Sequence, residues 1–527
     1  MKVAGHAMLV CLLLGPAAAA GHAQGSAPPI SPSASDQKTA QLEERIAAIS
    51  SALAATQEQI EQSQRQMQQL QQQLLELRQQ VAGAGAVFSV PSSASTSASS
   101  STSPSPLSPA TAPDSSATAI EERQQALEAA VKLHDQTKVE SSSKYPVRLT
   151  GLILFNGFLN RGVADNTDLP AVAQRGTSTS GNGSLGAGLR QTILGIEGDG
   201  PRIAGARTSA NVNIDFFSNV AYTPYGTSAG VVRMRTASID FDWANDSVQV
   251  GIVGPLISPI APASFATVAE PSLAGAGNLW AWAPQLRYTH RFPLQQGNRL
   301  QFEFGLWDSP SAGYNANQLF RTSSPAELAQ QPSYETRFSY AAAGERGLQL
   351  GISGYYGRQA YPGYQGYPGT ENLDSWASTA DWRLPLGHHF EISGEGYRGR
   401  SLGGLGGGVY KDVVTGTSPV TGASVLHGLN AIGGWTQFKT RFGSSLETNM
   451  SIGLDDGFAK DFHALVLSPT ASATQLRARN KMVVGNLIFR PKTYIILSPE
   501  YRRIWTWPIT GTATTLDVFT LSAGFQF

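Results

Sequence analysis

From Val147 onward, apolar and polar residues alternate with a period of two, the pattern of a strand with one apolar and one polar face. In Thr208–Phe217, Ala210, Val212, Ile214 and Phe216 share one parity, and Asn211, Asn213 and Asp215 the other. Leu300, Phe302, Phe304 and Leu306 oppose Gln301 and Glu303 in the same way. The last stretch, Asp517–Phe527, sets Phe519, Leu521, Ala523, Phe525 and Phe527 against Thr520, Ser522, Gly524 and Gln526.

Each segment is about ten residues long, close to the ~9–11 that a tilted strand needs to cross a bilayer. Sixteen such segments are predicted between Val147 and Phe527. Short connections such as Ala244–Asp246 and Pro385–His389 interleave with long ones such as Arg161–Gly188, Gly254–Pro284 and Gly399–Gly428. A soluble sandwich has no reason to alternate loop length in this way. The pattern predicts an all-β transmembrane barrel of antiparallel strands over 145–527, with both chain ends on the short-turn side. A soluble barrel would turn its apolar face inward. Polar residues inside and apolar ones outside predict lipid around a water-filled lumen. Trp243, Tyr340, Tyr356, Trp376, Trp382 and Phe527 lie near strand ends, where aromatic girdles sit. An amphipathic last strand ending in Phe527 has the form that outer-membrane barrel-assembly machinery reads.

Ahead of the barrel the period changes. An apolar run, Ala7 to Leu14, followed by small residues predicts a secretory signal peptide over 1–23. Residues 24–35 are rich in Pro, Ser and Ala, a composition that predicts disorder. From Leu42 the apolar spacing alternates four and three. Leu42, Ile46, Ile49, Leu53, Ile60, Met67, Leu70, Leu74, Leu77 and Val81 form the seam of a coiled coil over 36–82, interrupted at Thr56 and Ser63. Mixed Ile and Leu along that seam allows a trimer. A Ser/Ala/Pro-rich linker follows at 83–117, then a short helix at 118–136 opened by Thr118 and Glu121 at capping-box spacing. The coil is expected in the periplasm, where it would pin barrels together within reach of peptidoglycan.

Formal net charge is zero and 14% of residues are charged, which argues against nucleic-acid binding, since that needs a basic surplus. The single cysteine, Cys11, falls in the signal segment, so no thiol chemistry is expected after export. There is no His-Glu-x-x-His and no phosphate-binding Gly-Lys-Ser/Thr. No catalytic residue, metal site or cofactor is expected. Gly403–Gly408 reads as part of a mobile surface loop.

The informative chemistry lies in the third long loop, whose one charge is Glu270, and in arginines of lumen parity. Gln285, Arg287 and Arg291 share one face of the strand after that loop. Arg148, Arg337, Arg383 and Arg502 take lumen positions elsewhere. A lumen guanidinium offers a permanent positive charge and a fork that suits carboxylates. The competing reading is a ladder of ion pairs with Asp215, Glu303, Glu335, Asp381, Glu391, Glu447 and Glu500, which would select little. Arg233 and Arg235 share parity with Ala237 and Ile239, which places them on the rim unless a bulge reorients them.

These pieces resemble the DcaP-like outer-membrane porins. The residues that carry the resemblance are Val147–Phe158, Arg233–Phe241, the run from Trp282 to Tyr288, the run from Leu497 to Arg502, and Phe527. The resemblance implies a trimer of sixteen-stranded barrels tied by a periplasmic coiled coil and surrounded by outer-membrane lipid. It implies uptake of small organic anions, dicarboxylates included, with Arg287 as the residue carried over. The expected function is a diffusion porin. The alternatives are an envelope tether with the barrel as anchor, and a barrel-embedded hydrolase for which no Ser–His pair can be assigned.

Overall fold

The computed structural model describes residues 146–527, except 179, 219–229, 313–321, 345–346, 364–368 and 469–470. The signal segment, coiled-coil seam, linker and short helix lie outside the described residues. Sixteen strands follow one another. The first eight are β1 (Val147–Arg161), β2 in two parts (Gly183–Gly188 and Ile193–Asp199), β3 (Arg207–Asp215), β4 (Arg233–Asp242), β5 (Asp246–Val253), β6 (Ala283–Pro293), β7 (Arg299–Trp307) and β8 (Ser333–Ala341). The second eight are β9 (Gln349–Pro362), β10 (Thr370–Leu386), β11 (Phe390–Arg400), β12 (Asn430–Phe442), β13 (Leu446–Gly457), β14 (Arg477–Lys492), β15 (Ile495–Pro508) and β16 (Thr514–Gln526).

Each strand pairs antiparallel with the next, and β16 returns to β1 from Leu152↔Gln526 through Arg161↔Asp517. Closure removes both sheet edges, the condition under which a sheet can stand in hydrocarbon. The alternation sets which face is which. Leu521 is 57% exposed, whereas its neighbour Ser522 is fully buried. Met450, Ile352, Phe338 and Ile432 are likewise exposed on the outside. In water such a surface would be a large penalty; in lipid it is the favourable one.

The wall is uneven. Strands β3 to β8 run 8 to 11 residues, and β9 to β16 run 11 to 17. Two further departures from simple alternation matter for the lumen. A register shift between Asn213 and Ile214 against β4 leaves Arg235 as an extra residue. This bulge turns Arg233 and Arg235 inward, away from the rim. The inward face of β14 to β16 carries apolar side chains among its polar ones, with Met482, Val484, Ile488, Ile496, Ile504, Leu516 and Val518 buried. A wholly water-filled lumen would leave them wet. They are dry because three long loops fold inside.

Candidate functional site: a loop-filled lumen

The three loops are 162–182, 254–282 and 401–429, called here L1, L3 and L6. L3 is rich in Pro, Ala and Ser and has no repeating strand of its own. Its backbone N–H and C=O groups therefore need partners from outside the loop. The lumen wall supplies them in order. The Leu256 amide donates to Glu335 Oε2 at 3.0 Å on β8. Thr379 Oγ1 of β10 donates to the Ile257 carbonyl at 2.8 Å. Gln437 of β12 accepts from the Ala263 amide at 2.7 Å, and Asn486 of β14 donates to the Ala263 carbonyl at 2.7 Å. Ser264 donates to Glu500 of β15 at 2.6 Å.

The circuit continues past the seam between β16 and β1. Gln191, in the break of β2, accepts from the amides of Val268 and Ala269 at 2.7 and 3.0 Å and donates to the Ala266 carbonyl at 2.9 Å. Arg235 donates to the Val268 carbonyl at 2.6 Å, and Arg233 to that of Ala269 at 2.8 Å. Residues 256–269 thus trace most of the inner circumference. The polar inward positions at this level bind the loop backbone rather than line a water column.

The return limb of L3 crosses against L6. The Trp280 amide donates to the Leu405 carbonyl at 3.0 Å. Ile257 and Leu279 of L3 pack with Leu402 and Leu405 of L6 and with Trp307, Tyr355 and Tyr397 of the wall. At Gly277, φ is +97°, and an added Cβ would sit 2.2 Å from the Gly434 carbonyl oxygen. Only glycine lets the loop lie against the wall there. The expectation of a mobile surface loop at Gly403–Gly408 is corrected by its burial. A Cβ at Gly404 would fall 2.1 Å from the Pro310 carbonyl oxygen, so this glycine run serves close packing. L1 joins at the same level. Asn480 donates to the Ala171 carbonyl at 2.9 Å, and Arg502 to the Pro170 carbonyl at 2.8 Å.

The arginines expected at the lumen divide into groups. Gln285 and Arg287 meet at 3.1 Å, and both donate to the Gly254 carbonyl where L3 leaves β5. Arg337 bridges Glu303 at 3.0 Å and Asp381 at 2.8 Å. Arg502 pairs with Glu500 at 2.8 Å, and Arg291 with Asp242 at 3.0 Å. Arg148 stands apart near the short turns, 3.7 Å from Asp199. Arg383 has the inward parity of Asp381 and lies across from Gln349.

The densest group joins Asp215, expected in the ion-pair ladder, to Arg233 and Arg235, expected on the rim unless a bulge reoriented them. Asp215, fully buried, takes Arg233 at 2.7 Å and lies 3.5 Å from Arg235. Arg190 stacks on Phe217 at 4.4 Å, and Arg235 on Trp282 at 4.1 Å. The only signal was the broken parity of Arg233 and Arg235 before Ala237.

Glu270 faces Arg233 and Arg502 from L3, with Asp165 of L1 close by. Burial pushes its carboxyl up to about 7, and the charge on Asp165 adds to the rise. A carboxyl raised in the seated loop stabilises seating below its ordinary value of 4.5, and that stabilisation is lost as pH rises through about 7. Lys411 of L6 has the opposite sign. Burial, with the nearby Arg477 charge, lowers it to about 7, so its contribution is present above its ordinary 10.5 and lost as pH falls toward 7. The seated loops should therefore be least stable near pH 7. Bilayer conductance is expected to rise between pH 5 and 7, and Glu270→Gln to flatten that limb. An unchanged pH profile in Glu270→Gln would remove Glu270 from loop seating.

A closed barrel of sixteen antiparallel strands, apolar outside and entered by its third long loop, has the outer-membrane porin fold. The outer membrane channel DcaP of Acinetobacter baumannii has this fold: it superposes with a TM-score of 0.55 at 14% identity, over 74% of this chain and 100% of that one. The anion-selective porin from Comamonas acidovorans is less similar, with a TM-score of 0.45 and 12% identity over 73% of this chain and 100% of that one. No protein-family model matches the chain, and no curated protein matches it.

Proposed function

We propose that this chain is an outer-membrane diffusion porin for small hydrophilic solutes, with its lumen narrowed by L1, L3 and L6. The observation that carries this reading is the loop band. A backbone held by wall side chains of eight different strands or breaks is a fixed constriction, the part that sorts solutes in a channel of this class. The fold shared with DcaP, which is described as a channel, supports it. A preference for small organic anions is the finer reading. It is supported by Arg190, Arg233 and Arg235 gathered beside L3, and by Arg287 at its root. Assembly as a homotrimer through the coiled coil, in the outer membrane with the coil in the periplasm, belongs to the same proposal.

The test is reversal potential in a planar bilayer under a salt gradient, with and without succinate. The expected result is an anion-preferring current that succinate reduces. Arg287→Ala should lower the preference several-fold, because a guanidinium at a constriction sets the local potential. A current without preference would leave a general porin.

A second reading, the envelope tether, is favoured by the apolar packing of Ile257, Leu279, Leu402 and Leu405 inside the lumen. It predicts that no current is carried at all.

A further inference from the structure

The inner leg of L6, 401–410, is wound against the preference of its own residues. Among the described residues, seven that are not glycine have positive φ. Three of them lie here: Ser401 at +55°, Val409 at +54° and Tyr410 at +66°. With Gly406 at +86° and Gly408 at +59°, the leg ends in a left-handed turn. A left-handed backbone brings Cβ against the following carbonyl, and a β-branched residue such as Val409 tolerates it least. Residues in this state persist only where their surroundings over-determine them.

Four contacts hold the turn. Val409 is fully buried and packs with Ala171 and Val172 of L1. The Tyr410 ring lies on Gly275 of L3, where an added Cβ would sit 2.3 Å from it. Lys411 Nζ donates to the Gln475 carbonyl at 3.2 Å and to that of Arg477. From the wall, the fully buried carboxylate of Asp455 on β13 faces the amides of Gly408 and Val409, with the Tyr397 hydroxyl beside it. Successive N–H groups in a turn converge, and an anionic group fills such a concavity. At its base the leg is tied off, because Asp412 accepts from the Gly403 amide at 2.5 Å and from that of Ala312. The tie leaves 404–410 as the part that can unwind. Val409 and Tyr410 pack on other loops, which can move with L6, whereas Asp455 joins the turn to a rigid strand.

We infer that the inner leg of L6 is a sprung strap: the strained turn favours release, Asp455 holds it to the wall, and their balance sets how often the lumen opens. The last clause rests on the channel reading proposed above. The strap itself is a property of the folded chain and has its own readout.

The experiment pairs hydrogen–deuterium exchange of residues 403–412, in the folded full chain in detergent, with single-channel recording in a planar bilayer. Asp455→Asn keeps the shape and removes the charge. It should speed exchange of that segment ~10-fold and raise the opening frequency in step, since hydrogen bonds to charged groups are the stronger ones. Asp456→Asn, next in the chain but 2.6 Å from Arg479 on the outer face, should change neither. Val409→Ala and Val409→Gly lose nearly the same packing and differ in backbone freedom. At positive φ glycine is the better residue, so the Gly variant should exchange and open ~5-fold less than the Ala variant. A right-handed or extended turn would give the reverse order, because glycine there loses more entropy than alanine. The reverse order, or no difference, would overturn the inference, as would an Asp455→Asn protein that exchanges like the unaltered one. Exchange in the expected orders with no current from any variant would uphold the strap and sink the channel reading instead.

Discussion

Replacing residues 256–281 with a short Gly-Ser bridge is expected to raise single-channel conductance several-fold while the barrel stays folded. The geometry permits the cut. Val253 and Ala283 are direct register partners, so a few residues can close the β5–β6 hairpin without moving either strand. The loop contributes nothing to the barrel ladder, which runs wall to wall without it. Its removal takes away the backbone that Glu335, Thr379, Gln437, Asn486 and Gln191 now hold, and the Ser264 hydroxyl that donates to Glu500. Those side chains then return to water, where they cost little. The apolar partners of L6 would lose cover as well, so the gain should exceed the loop's own cross-section. Planar-bilayer recording in symmetric salt reads the result. An unchanged conductance would mean that L6 and L1 close the lumen by themselves.

The second large effect is expected at Arg337. Its guanidinium donates from Nη1 to Glu303 at 3.0 Å and from Nη2 and Nε to Asp381 at 2.8 and 3.2 Å. All three side chains are buried on the lumen face, on β7, β8 and β10. Arg337→Ala would strand two carboxylates with no counter-charge, a loss of ~3–5 kcal/mol in comparable buried pairs. The triple change Arg337→Met, Glu303→Gln, Asp381→Asn removes the charges together and should recover most of the stability. The unfolding midpoint in urea, followed by tryptophan fluorescence, reads both. A small loss in Arg337→Ala would mean that water reaches this site and screens it.

The contrast between wall and loops explains how much could be read from the chain. Strand alternation is local: a residue's face follows from its neighbour's, as Ser522 and Leu521 illustrate. Lipid outside and loop or water inside both enforce that pattern, so sixteen strands lie close to where it places them, except that Gly183–Gly188, expected in the first long loop, is strand and the break falls at 189–192. Loop placement is not local. Gln191 meets Val268 across 77 residues, and Asn480 meets Ala171 across 309. No period in L3 marks such partners. Polarity misled for the same reason. Gln437 and Asn486 are polar because they hold a peptide backbone, and a peptide group needs the same donors and acceptors as water does. Arg233 and Arg235 fall between these cases. One inserted residue reversed their side, and a bulge leaves only a broken parity as its trace.

The uneven height of the wall has a mechanical consequence. Eight strand residues at ~3.4 Å each, tilted by ~45°, reach only ~19 Å across a membrane. The hydrocarbon layer is ~30 Å thick on average, so lipid against β5 would have to compress where lipid against β10 would not. A single barrel would therefore impose a lopsided dent on its bilayer. Two or more copies that turn their low sides toward each other would withdraw that side from lipid and let the membrane relax. The elastic cost of the bilayer then acts as an attraction between barrels, directed by the low side and independent of any contact in the coil. Membranes of different thickness should tune it, with association strengthening as the acyl chains lengthen.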